Sequence, residues 1–330
     1  MNADLLPAFE PSRRRFLELG TKLILASALN GIQGCDPGTP LKISGHTFLG
    51  YEFIFLAREE GWLNPHWVEL LKTKSASESL DALASGSVDG AMLTLDETLN
   101  ARDKGIPLTI VLILDRSVGA DALLVAPEII QLSQLKGKRI GVENNAVGRL
   151  FMHFVLQRAG LKLNDVVLLN LTVDRHVEAC MNRTVDAIVT FEPSLNRIEN
   201  HGWHNLIDSR EMDTLFDVLA VRTNKLSNNS LAITHLIEGH LKAAQRWRNG
   251  SVDTIYRLSQ RLGFRPVEVA TLYRGLDLPD LDYNRYVLSR PTSQMMQIAK
   301  KIADILEYRK ALTDADVNLF TSDYLPRSMP

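Results

Sequence analysis

The chain has 330 residues, 45% of them apolar and 23% charged, with a net charge of −2. That length accommodates two domains with an ordinary soluble composition, and the near-neutral balance leaves no electrostatic footprint for nucleic acid. Two cysteines, Cys35 and Cys180, imply no disulfide framework, and no uncharged apolar run reaches the roughly 18 residues of a spanning helix.

The first predicted element is a leader. Ser12-Arg13-Arg14-Arg15-Phe16-Leu17 precedes a modestly apolar stretch at 23–29, and Ile32-Gln33-Gly34-Cys35 follows. This is the basic, apolar and cleavage order of an export signal. Its core resembles a twin-arginine signal, and Glu18 and Lys22 keep the apolar part weak. Ile-Gln-Gly-Cys resembles a bacterial lipobox, which implies lipidation of Cys35, although Gln33 stands where a small residue is usual. Asp36 next to it resembles an inner-membrane retention signal. The expected layout is therefore an export signal over 1–35, a linker over 36–40, and a protein of the periplasm or cell envelope.

After the linker, 41–44 reads as a strand, 52–60 as a helix closed by Gly61, and 67–72 as a second strand. Ser75 and Glu78 have capping-box spacing for a helix that ends at Gly86. Residues 88–97 form an apolar run ending in Thr94 and two acids, with a helix over 98–102. A buried strand covers 108–114. Another at 122–126 stops at Pro127, and the first crossing between lobes is expected there.

The second half repeats the scheme. A strand at 140–142 leads through Glu143 to Gly148 into a helix that runs to Gln157, with Gly160 as its cap. A strand over 166–171 and a helix over 174–182 precede a second apolar run ending in Thr190-Phe191-Glu192-Pro193, with a helix over 194–199. A short strand is read at 203–207, and one at 216–221 is assigned back to the first lobe. Helical spacing dominates 231–248, 252–262, 267–274 and 293–308. Strands alternating with helices predict an α/β fold of two lobes, each a mainly parallel sheet flanked by helices, with a helical C-terminal segment. Lobe 1 is expected over 41–122 and 215–330, and lobe 2 over 123–214.

In open α/β sheets ligands collect at the carboxyl ends of strands. The two repeated strand ends bring Asp96, Glu97, Asp121, Glu143 and Glu192 forward as ligand contacts, with Asp115 nearby. Such a lining favours a cationic or donor-rich ligand, because unpaired buried charge is costly; Arg116 or Arg149 would neutralise part of it. Tyr51 and Phe191 offer rings for stacking, and the turn up to Gly148 offers backbone N–H groups. The competing readings are an ordinary capped helix at Gly148, a hinge ion pair at Asp96 and Asp121, and core packing for Phe191. His46, His153, His176, His201 and His204 show no metal spacing and read as surface residues; Cys180 reads as a small core residue. No metal or cofactor is expected.

Four segments stand out together: Gly50-Tyr51-Glu52 with Leu56-Ala57-Arg58-Glu59-Glu60-Gly61, Ser117-x-Gly119-x-Asp121-Ala122, Leu135-Lys136-Gly137-Lys138 and Thr190-Phe191-Glu192-Pro193. In this order and spacing they resemble one family of solute-binding proteins, which serve importers of nitrate, alkanesulfonates, taurine and thiamine precursors. The similarity runs over about 41–212. It implies a type II periplasmic-binding-protein fold, a non-enzymatic role, a small organic ligand between the lobes, and permease and ATPase partners for a monomeric binder. Ser117 joins the candidate site through this resemblance. The acidic strand ends favour an amine-bearing or heterocyclic solute, aminosulfonates included, over a simple oxyanion. Two alternatives remain: an enzyme like the pyrimidine-precursor synthases of the wider group, and a periplasmic sensor domain on the same fold.

Overall fold

The computed structural model describes residues 39–289, 294–312 and 318–329; the expected leader and the lipidation site Cys35 lie outside the described residues. In chain order, β1 (Leu41–Gly45), α1 (Glu52–Glu59), β2 (Val68–Lys72), α2 (Ala76–Ala84), β3 (Gly90–Thr94), α3 (Leu95–Asp103) and β4 (Leu108–Ser117) come first. Then follow β5 (Asp121–Val125), β6 (Arg139–Val142), α4 (Ala146–Ala159), β7 (Val167–Asn170), α5 (His176–Met181), β8 (Ala187–Phe191), α6 (Ser194–Glu199) and β9 (His204–Asp208). The chain ends with β10 (Phe216–Arg222), α7 (Ser230–Arg248), α8 (Val252–Leu262), α9 (Pro266–Leu272), β11 (Leu276–Asp277), α10 (Leu281–Leu288) and α11 (Gln294–Ile305).

Two sheets result. The first has the order β11-β4-β10-β3-β1-β2, and the second β7-β6-β8-β5-β9. β1, β2 and β3 run parallel, joined by α1 and α2, while β10 inserts antiparallel between β3 and β4. In the second sheet β6, β7 and β8 are parallel, and β5 lies antiparallel between β8 and β9. The chain leaves the first sheet after Ser117 and returns to it at Phe216.

The inner strands of each sheet are covered on both faces, so they read as apolar runs without strict alternation; in β4 only Arg116 is exposed, whereas the edge strand β7 is mostly exposed. A core with Phe53, Phe55, Val111, Leu112, Ile233 and Leu241 fills one face of the first sheet under α1 and α7. A second core is continuous from the opposite face of that sheet to the second sheet, through Leu99 of α3 and Phe151 and Val155 of α4. A smaller core with Cys180, Ile198 and Trp203 backs the second sheet under α5 and α6. The expected mixed α/β architecture with a helical C-terminal segment is what the chain forms.

The differences are local. α3 begins at Leu95, three residues before the expected start, because Thr94 and Glu97 form a reciprocal capping box. At α2 the expected box is only half made. Ser75 accepts from the Glu78 N–H, but the Glu78 carboxylate turns to the N–H of Lys74 at 2.6 Å. β4 continues to Ser117, which puts Asp115 inside a strand. Its Oδ2 lies 1.7 Å from where a Cβ on Gly50 would stand, so a side chain at position 50 would displace the Asp115 carboxylate.

Candidate ligand-binding crevice

The carboxyl ends of β1, β3 and β4 share one edge with the amino end of antiparallel β10. Asp217 pairs in register with Thr94 on one side and Asp115 on the other. In the second sheet the carboxyl end of β8 meets the amino end of β5, where Phe191 pairs with Asp121. These edges meet. A cavity lies between them, lined from the first sheet by His46, Phe48, Tyr51, Ala76, Thr94, Glu97 and Asp217. The second sheet contributes Asp121, Asn145, Val147 and Phe191. Its volume is about 20 Å³, room for about one water molecule. As it stands the cavity has no room for an organic solute.

Polar contacts hold the sides together. Asn145 caps α4 by accepting from the N–H of Gly148 at 2.9 Å, and its Nδ2 donates to Glu97 Oε1 at 3.1 Å. The other Glu97 oxygen accepts from the Thr94 N–H at 3.0 Å. Glu143 Oε1 accepts from the N–H of Ser77 at 3.1 Å, at the start of α2, and from its hydroxyl at 2.5 Å. The rings also cross the gap. Phe191 meets His46 and Phe48 edge to face, both at 5.6 Å between centroids, while Tyr51 packs on both at 5.2 Å. The Tyr51 hydroxyl donates to Asp217 Oδ1.

Burial sets the charge states. It raises Glu97 well above the usual carboxylate range, with Asp96 as the next cause, and raises Asp217 likewise, with the Asp115 charge adding to it. Asp121 is pushed up to about 6 and Asp96 to about 7, in both cases chiefly by burial. Burial depresses His46 to about 4, so its imidazole is neutral at pH 7. Neither Lys nor Arg is among the residues lining the cavity.

Of the residues singled out in the sequence, Tyr51, Glu97, Asp121 and Phe191 line this cavity; Glu143 and Gly148 line a separate cavity of about 640 Å³ with Arg149 and His153, and Asp96, Ser117 and Glu192 line neither. Asp96 is fully buried as the second residue of α3, within the influence of Arg149 and Asp121. Glu192 is buried, accepts from the Asn196 N–H at 3.3 Å and so caps α6; burial raises it to about 8. Ser117 is buried and shares a 2.7 Å hydrogen bond with Ser209 at the crossing between sheets. Glu143 bridges to Ser77, and the Gly148 N–H is taken by Asn145. A Cβ on Gly148 would meet the Glu143 carbonyl at 2.1 Å, so that glycine serves close packing. Arg116 faces outward and pairs with Asp277 at 3.0 Å.

His46, Phe48, Asn145 and Asp217 were not singled out. His46 and His176 are buried, against the expectation of surface histidines; His176 accepts or donates to Thr190 at 3.0 Å beneath the second sheet. Position alone carried the signal for His46 and Phe48, which follow the carboxyl end of β1 as Glu97 follows that of β3. Asp217 sits at a strand's amino end, which is ligand-facing only because β10 is antiparallel. Cys180 is in the core, as expected. Among the described residues no group of His, Cys, Asp or Glu is arranged for a metal ion.

Known proteins share this fold. The alkanesulfonate-binding protein SsuA from Xanthomonas axonopodis pv. citri, solved with MOPS bound, superposes with a TM-score of 0.68 at 18% identity, over 88% of this chain and 99% of that one. The fold is thus the two-lobed fold of periplasmic binding proteins. The taurine-binding periplasmic protein of Escherichia coli is 26% identical over 218 residues, 63% of this chain and 68% of that protein. A protein of Brucella abortus named as a binding protein is 31% identical over 86 residues, 26% of this chain. The chain spans 27% of the length of that Brucella relative. The NMT1/THI5-like family matches residues 51–249, more than half of the 330, and the chain belongs to that family.

Proposed function

We propose that the protein is the extracytoplasmic solute-binding component of an ABC importer. It captures a small organic solute, amine-bearing, heterocyclic or sulfonate, between its lobes and delivers it to a permease and ATPase. In this reading the leader exports the chain to the periplasm and Cys35 tethers it to the inner membrane as a monomeric lipoprotein. The lobes are 41–122 with 215–330, and 123–214. The observation that carries the reading is the crevice itself. Its lining comes from both sheets, its walls are joined by the Asn145–Glu97 and Glu143–Ser77 contacts, and it is too small to admit a solute unless it opens. Binding proteins work by such hinge closure. The names of the Xanthomonas and Escherichia proteins agree with this reading.

A thermal-shift screen of the full-length protein against amines, pyrimidines, sulfonates and oxyanions tests it. A captured solute at about 100 times its Kd adds roughly 2.7 kcal/mol to stability. If no solute in any class raises the melting temperature, the capture role is lost.

A further inference from the structure

The crevice has two properties that come from different residues. Its aromatic groups, Phe48, Tyr51, Phe191 and His46, are set edge to face at 5.2–5.6 Å and come from both lobes. Its charged groups are all acids: Glu97, Asp121 and Asp217 line the cavity and no Lys or Arg does. A third observation concerns the hydrogen bonding of His46. His46 lines the cavity, is 4% exposed, and its Nδ1 has no hydrogen-bond partner. That nitrogen is a buried polar atom left to a ligand, since such groups are ordinarily satisfied.

From this geometry we propose that the solute is a small organic cation, its positive nitrogen seated among the Phe48, Tyr51 and Phe191 rings and facing the Asp217, Glu97 and Asp121 carboxylates. Ring faces attract ammonium groups, most strongly where water is excluded. The carboxylates keep lone pairs free after accepting from Tyr51, Asn145 and the Thr94 N–H. Burial holds Glu97 and Asp217 above the usual carboxylate range in the closed crevice; a cation seated there supplies the counter-charge that lets them ionise, which an anionic sulfonate cannot do. The inference rests on the solute-capture reading and narrows its ligand to one charge.

Calorimetric titration of the full-length protein at pH 7.5 tests it, using choline and putrescine as cations, ethanesulfonate and nitrate as anions, and cytosine as a neutral heterocycle. The expected result is binding of one or both cations and of neither anion. Choline above putrescine points to a methylated headgroup, and the reverse to a primary ammonium. Asp217→Asn should weaken the bound cation at least tenfold with the melting temperature kept. Phe191→Leu, which removes a ring without touching charge, should also weaken it, choline more than putrescine. If ethanesulfonate, nitrate or cytosine binds and the cations do not, the cation assignment is overturned while solute capture stands. If nothing in the set binds, both are overturned. Cation binding that is unaffected by both substitutions would overturn this site.

Discussion

The Asn145 side chain serves two helices at once: its Oδ1 caps α4 and its Nδ2 donates to Glu97, the residue that completes the capping box of α3. The amino ends of two helices from opposite lobes are therefore tied by one amide. Neither helix can swing away without giving up a hydrogen bond to a buried carboxylate, so the contact acts as a latch on the closed crevice.

Asn145→Ser separates the two roles. Serine is as good a helix cap as asparagine but has no amide to reach Glu97. The variant should lose about 1 kcal/mol of stability, the worth of one hydrogen bond, and hold a larger open population. Denaturant unfolding measures the first and small-angle scattering the second. A variant as compact as the parent would show that the amide is no latch.

Stability should fall as pH rises from 6.5 to 8.5. Burial holds Asp96 at about 7 and Glu192 at about 8 in the folded chain, against ordinary values of 3.8 and 4.5. A carboxyl raised by folding keeps its proton longer in the native state, so its contribution is intact near its unfolded value and is lost as pH climbs through the folded one. The buried histidines His46 and His176, depressed to about 4, act in the other direction but only below their ordinary 6.5. Melting temperatures across this window read the sum. Glu192→Gln should flatten the upper part, gaining on the order of 1 kcal/mol at pH 8.5. A rising curve would contradict the assigned burial.

Gly148→Ala should cost about 1–3 kcal/mol, as overpacking does. The added methyl would stand 2.1 Å from the Glu143 carbonyl, and α4 must shift to make room. Ala at Gly137, where nothing lies within 4 Å of the new Cβ but φ is +75°, should lose stability through backbone strain alone, without altering solute affinity. Equal affinity loss in the two variants would remove the packing explanation.

Most of the architecture was legible in the sequence, because parallel strands buried on both faces leave apolar runs separated by amphipathic helices. The two repeated strand ends were legible for the same reason, and they do border the crevice. Which acid faces inward was less legible. Thr94-x-x-Glu97 is a capping signature visible in the sequence; it starts α3 early, turns Glu97 inward, and leaves Asp96 buried beside the cavity. Glu192 caps α6, a role that depends on where the helix starts after Pro193. Asp217 could not be found from periodicity at all. It enters the crevice because β10 pairs antiparallel with β3 and β4, and strand direction is a property of topology rather than of local pattern.

The most direct test of capture between the lobes is a distance across the crevice. Lys74 and Asn144 are exposed and flank the Ser77–Glu143 contact from opposite sides. Spin labels on Lys74→Cys and Asn144→Cys, in a Cys35→Ser background, report their separation by pulsed electron resonance. Capture by closure predicts a broad or long distribution without solute that shortens and narrows when a bound solute is added. A distribution unchanged by a solute that calorimetry shows to bind would contradict it.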